Sequence, residues 1–120
     1  MSEDLDRTDY RGRTPLIRAC EEGDLEQVQR LIDKGANVEA TAMKKASLGG
    51  HAAIVELLIR KGVDINDSRD WKTTALILAS MGGHVDVVDC LLSLGADLEL
   101  MDQFGLTALM MSGARGKIDP

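Results

Sequence analysis

The sequence predicts an all-α solenoid of about three and a half repeats, each a pair of antiparallel helices joined to the next by a turn. Two near-copies, Ala46-Ser47-Leu48-Gly49-Gly50-His51 and Ala79-Ser80-Met81-Gly82-Gly83-His84, lie 33 residues apart. Thr41, Thr74 and Thr107 keep the same 33-residue interval, each before a small-plus-large apolar pair. The second half of each unit carries apolar residues at i, i+3 and i+4 and then a glycine, the signature of one helix face and its stop.

Taken in order, residues 1–8 form a polar lead-in and residues 9–40 the first repeat, whose first helix is opened by Thr14-Pro15-Leu16. Proline fits the first helical position because no partner awaits its absent N–H, and threonine suits the cap before it. Val28, Leu31 and Ile32 mark the second helix, which stops at Gly35. In the second repeat, residues 41–67, Thr41 is expected to cap, and Val55, Leu58 and Ile59 precede Gly62. In the third, residues 68–100, Thr74 caps, and Val88, Leu91 and Leu92 precede Gly95. An incomplete fourth repeat, residues 101–120, begins with Thr107-Ala108-Leu109 and has no second helix. Ala19-Cys20, Ala46-Ser47, Ala79-Ser80 and Ser112 are small enough to let neighbouring helices approach closely. Helices of about eight residues do not persist alone in water, so the array is the folding unit.

Asp9-Tyr10-Arg11-Gly12-Arg13-Thr14-Pro15-Leu16, with Ala19-Cys20 and Gly23, resembles the ankyrin-repeat family, as does the period of 33 residues. The resemblance runs from Asp9 to Asp119. It implies an ankyrin-repeat solenoid with β-hairpin turns between helix pairs, and a role in binding other proteins. Thr14 and Thr41 are separated by 27 residues instead of 33, which places the missing six between Ala40 and Thr41, at a family hairpin tip. Either one finger is lost or a mobile loop of the natural chain is absent from this sequence; the second is preferred. A direct link from Val38 to Thr41 is expected to be strained. Leu109, Met110 and Met111 are poorly covered at the C-terminal end, so the natural chain is expected to continue or to self-associate there.

Composition narrows the function. The chain holds 14 basic and 20 acidic residues, net −6, against a nucleic-acid partner. Residues 41–61 are locally +3 through Lys44, Lys45, Arg60 and Lys61 against Glu56, read as a solvated surface or a basic stripe on a binding face. No apolar run reaches the ~18 residues of a membrane span, and no signal peptide follows Met1. Cys20 and Cys90 read as small buried hydrophobes. An intracellular location, cytoplasmic or nuclear, is expected, and Asn66-Asp67-Ser68 is a chance sequon.

No catalytic chemistry emerges. His51 and His84 are expected to serve local structure; no cofactor or metal is expected, because they lack partners at ligand spacing. Gly113-Ala114-Arg115-Gly116-Lys117 lacks the first glycine, the hydroxyl residue and the preceding strand of a phosphate loop. The family resemblance implies a concave binding face made of hairpin tips and first-helix ends. By register its tips are Tyr10, Arg11 and Arg13; Asp70, Trp71 and Thr73; and Gln103, Phe104 and Leu106. The helix ends contribute Glu21 and Glu22, Leu48 and Met81. Arg11, Trp71 and Phe104 are equivalent, and aromatic and arginine side chains often dominate interfaces. The partner is expected to be another protein, or an extended or helical peptide; occlusion of an enzyme surface is the alternative.

Overall fold

The computed structural model describes residues 5–68 and 73–97. Among these are six helices in three pairs: α1 (Pro15–Glu22) with α2 (Leu25–Asp33), α3 (Ala40–Gly49) with α4 (Ala52–Arg60), and α5 (Ala75–Gly82) with α6 (Val85–Ser93). The first helices stack α1 on α3 on α5, and the second helices form a parallel layer of α2, α4 and α6.

Local chemistry sets the ends of these helices. Thr14 and Thr74 hold extended backbone, and their hydroxyls accept the N–H of Ile17 at 3.2 Å and of Ile77 at 3.3 Å. Asp24 caps α2 by accepting the N–H of Gln27 at 3.1 Å. Pro15 stands at the start of α1, as expected. Thr41 does not cap. Without a finger before it, α3 begins two residues earlier than a Thr41 cap would allow, at Ala40, and its N-cap is Glu39 in ordinary extended backbone (φ −117°, ψ 154°) with no side-chain cap bond. The short link is therefore made without strain at that residue.

The first helices end in left-handed glycines, and two of these do more than turn the chain. A Cβ on Gly23 would lie 2.5 Å from the His51 ring, and one on Gly50 would lie 2.7 Å from the His84 ring. Each imidazole occupies the space left by a glycine of the preceding repeat. From there His51 Nε2–H donates to the Glu21 carbonyl at 3.3 Å and His84 Nε2–H to the Leu48 carbonyl at 2.8 Å. The two histidines thus tie successive repeats together.

Leu16, Val28, Leu31, Ile54, Val55, Leu58, Leu76, Val87 and Leu91 are essentially sealed from water. Each such side chain contributes about 1.5–3 kcal/mol by leaving it. Ala19, Cys20, Ala46, Ser47, Ala79 and Ser80 are buried between the first helices. The Ser47 and Ser80 hydroxyls donate to the carbonyls of Met43 and Leu76 one turn back, which satisfies them. Two expectations need correction: Leu92 is exposed and Cys90 is only half-buried.

The junctions are not equal. The Asp6 carboxylate accepts the N–H of Asn37 at 3.0 Å, and the equivalent Asn66 amide oxygen accepts that of Asp97 at 2.8 Å. Glu39 and Asp64 hold the corresponding positions between the first two repeats and form no such bond. There α2 touches α4 more lightly than α4 touches α6. A recess of about 740 Å³ opens between them, lined by Leu25, Ala53 and Leu57 among charged neighbours.

Candidate protein-binding surface

The first finger is built by Asp9. Its Oδ1 accepts the backbone N–H groups of Arg11 and Arg13, both at 2.9 Å, while Gly12 N–H donates to the Asp9 carbonyl. Gly12 takes φ +77°, which closes the turn. Tyr10 is left 94% exposed at the tip, with Arg11 exposed beside it.

Arg13 points the other way. Its Nε donates to Asp9 Oδ2 at 3.0 Å and its Nη1 to Glu21 Oε1 at 2.8 Å, and Lys45 Nζ approaches Glu21 Oε2 at 3.4 Å. This half-buried chain of charges links the finger to α1 and α1 to α3. Backbone N–H donation from Arg13 is the main reason the Asp9 carboxyl lies below its ordinary range. Partial burial raises Glu21, but the Arg13 hydrogen bond and the Lys45 charge outweigh it and bring the carboxyl down. The hydrogen bond to Glu21 in turn raises Arg13. Arg13 and Glu21 are thus framework of the face more than free contact groups.

Across the ends of the first helices, Leu48 and Met81 stand at equivalent positions and remain 45% and 39% exposed. Leu48 and His84 share the hydrogen bond between repeats, so α3 and α5 are fixed side by side where these side chains emerge. Glu22 is also exposed. Thr73 is a correction: it is only 5% exposed, and its hydroxyl has no hydrogen-bond partner among the described residues. A residue so enclosed offers no contact surface. Asp70, Trp71, Gln103, Phe104 and Leu106 lie outside the described residues, as does the C-terminal end on which self-association was considered.

The local basic run of residues 41–61 is mostly consumed within the fold. Lys44 is fully buried and pairs with Asp67 at 2.8 Å, Lys45 meets Glu21, and Arg60 pairs with Glu56 at 2.8 Å. The Lys44 pair has no precursor in the sequence reading, although Ile17 and Ile77 at the equivalent positions were the available signal. Burial pushes the Cys20 thiol up to about 12, while Cys90 rises for the same reason. Among the described residues no three His, Cys, Asp or Glu side chains gather as metal ligands, and no helix is long and apolar enough to cross a membrane.

Comparison with known proteins agrees with this architecture. A family model described as ankyrin repeats (3 copies) matches residues 1–69 and 42–119. The chain is 41% identical over 68 residues to the mouse (Mus musculus) B-cell lymphoma 3 protein homolog, covering 51% of this chain and 15% of that protein. It is 39% identical over 75 residues to human (Homo sapiens) NF-kappa-B inhibitor alpha, covering 52% and 24% respectively. Mouse (Mus musculus) ankyrin repeat domain-containing protein 63 is 41% identical over 58 residues, covering 43% and 15%. The chain therefore spans less than a quarter of the length of each of these relatives. With the period, the capped helix pairs, the two helical layers and the family match in agreement, the chain belongs to the ankyrin-repeat family.

Proposed function

We propose that this chain binds a partner protein or peptide on the face made by the first finger and the ends of α1, α3 and α5. The carrying observation is the pair Leu48 and Met81. On α5 every residue before Met81 is buried, and on α3 Ala42, Met43, Lys44, Ala46 and Ser47 are, yet these two apolar side chains keep more than a third of their surface in water at matching positions. Methionine and leucine there, with Tyr10 and Arg11 at the finger, provide adaptable apolar contact beside an aromatic and a guanidinium. Ankyrin repeats are binding modules without catalytic machinery of their own, which directs the reading to occupancy instead of turnover. The free thiols of Cys20 and Cys90 favour the cytoplasm or nucleus as the setting.

NF-kappa-B inhibitor alpha is by its name an inhibitor, and likeness to it favours a second reading in which binding here blocks a partner's surface, an enzyme's among them. Both readings use the same face. Peptides selected by display on the native protein provide the probe. Leu48→Ser and Met81→Ser are expected to weaken the selected peptides about tenfold or more, the equivalent of ~1.4 kcal/mol. Val85→Ser, on the second-helix layer, is expected to leave them unchanged, and Trp71→Ala and Phe104→Ala extend the same panel. Equal binding by folded Leu48→Ser/Met81→Ser protein defeats the assignment, and loss with Val85→Ser transfers it to the opposite layer.

A further inference from the structure

We propose that the N-terminal end of the stack carries an oxyanion recess, lined by Arg7, Arg13 and Arg18, that receives an aspartate or glutamate side chain from an acidic segment of the partner. The proposal rests on the protein-binding reading above and adds the chemistry of the bound segment. Arg7, Thr8, Asp9, Arg13, Pro15 and Arg18 surround a recess of about 240 Å³. That is below the usual volume of a drug-sized ligand pocket and suits a single inserted side chain. The whole chain carries −6, so three guanidinium groups around one recess are not a by-product of a basic composition.

The charges around the recess do not cancel. Asp9 is occupied by two backbone N–H groups and by Arg13 Nε. Glu21 is occupied by Arg13 Nη1 and Lys45. The Arg7 and Arg18 residues are exposed, and their guanidinium groups have neither an ion-pair nor a hydrogen-bond partner among the described residues. Glu22, one turn beyond Arg18, lines an adjoining recess with it and does not pair with it. Arg13 uses two of the five N–H donors of its guanidinium in the bonds described and keeps others for a ligand. Two cations without an ion-pair partner among the described residues, with a third held rigidly beside them, offer guanidinium N–H groups to a planar carboxylate. The occupant assigned is a carboxylate, whose two oxygens match the paired N–H groups of one guanidinium.

The test titrates the full chain with a fluorescein-labelled peptide of alternating glutamate and glycine, followed by anisotropy. Matched peptides carry glutamine or phosphoserine in place of glutamate. The glutamate peptide is expected to bind at about 20 mM salt and to weaken towards about 150 mM as screening sets in. The glutamine peptide is expected not to bind. Arg7→Ala/Arg18→Ala is expected to weaken the glutamate peptide about tenfold or more, because charge-assisted hydrogen bonds to the carboxylate are removed. Val85→Ser, on the second-helix layer, leaves this binding intact, and the glutamate peptide has no apolar side chain for Leu48 and Met81 to take, which separates failure of the recess from failure of the apolar face. Unchanged affinity in the arginine variant, or equal binding of the glutamine peptide, overturns the recess. Preference for phosphoserine over glutamate overturns the choice of carboxylate.

Discussion

Removing the carboxylate of Asp67 is expected to be among the most damaging single changes in this protein. Lys44 lies at 0% exposure with its ammonium 2.8 Å from Asp67 Oδ1, itself only 5% exposed, at a core position that is isoleucine in the two neighbouring repeats. Breaking a buried pair by deleting one partner costs about 3–5 kcal/mol, because the remaining charge loses its close counter-ion in a medium that solvates it poorly. Against a total stability of about 5–15 kcal/mol, that is a large fraction. At ~4 °C per kcal/mol for a chain of this size, Asp67→Ala is expected to lower the melting temperature by roughly 12–20 °C. Lys44→Ile/Asp67→Ala removes both charges and restores the residue found in the sister repeats. The double variant is expected within ~1 kcal/mol of the parent or above it, since apolar replacements of buried pairs are often neutral or stabilising. Urea unfolding followed by circular dichroism measures all three proteins. A loss below about 1 kcal/mol for Asp67→Ala, or a double variant no better than the single, refutes the reasoning.

Gly50→Ala meets the His84 ring at 2.7 Å and a φ of +81°, whereas Gly62→Ala meets nothing within 4 Å at a φ of +102°. Both are expected to incur the ~1–2 kcal/mol of left-handed alanine, and only Gly50→Ala to incur a further loss that His84→Ala relieves, as read from urea midpoints. Asp9 and Glu21 both hold folded carboxyl values below the ordinary range, so the unfolded chain takes up protons first as the pH falls. Their stabilisation is complete above about pH 4.5, declines below it and is gone beneath the folded values. Glu21→Gln is expected to flatten that decline in acid titrations of thermal stability. A thiol reagent at about pH 8 is expected to label Cys90 in the native protein and Cys20 only through unfolding, because burial holds Cys20 protonated. Labelling of both at equal rates contradicts this.

Much of the framework was legible because its signals are local. Thr14 and Thr74 cap where a hydroxyl precedes a helical run, and every helix-stopping glycine named from the sequence among the described residues takes a positive φ. The matching exposure of Leu48 and Met81 follows from register, since positions 33 residues apart share an environment in a stack. Thr41 shows the limit of that logic. Its spacing copied Thr74, but a cap also needs the chain to enter from outside the helix, and the shortened link brings Ala40 into helical register first. Thr73 was assigned to the surface because Arg13 and Leu106 are its equivalents, yet a small side chain at a tip position can sink where a guanidinium cannot. Arg13 and Glu21 were assigned as contacts from position, although their mutual bond depends on geometry that composition does not reveal. Likewise His51 and His84 were expected to act locally; that they reach into the preceding repeat follows from glycine-lined space visible only when the repeats are stacked.

The two layers of the stack carry different mechanical duties, and this bears on where a partner binds. On the first-helix side the junctions are bridged by Arg13–Glu21–Lys45, by both histidines and by close-packed small residues. On the second-helix side the first junction lacks the Asp6-type strap and opens into the recess between α2 and α4. Size alone would favour that recess as a binding site. Its charged rim is largely engaged, through Arg60 with Glu56 and Gln29 with Asp33 within the rim and Arg30 with Gln27 outside it, so little of its polar chemistry is left for a ligand. Binding also costs less when the receiving surface is already ordered, because side chains and helices need not be immobilised on contact. The first-helix face meets that condition, presents unpaired apolar and cationic groups, and ends at the arginine-lined recess. A partner segment with apolar residues along its length and a carboxylate at one end would match that order of chemistry along the stack.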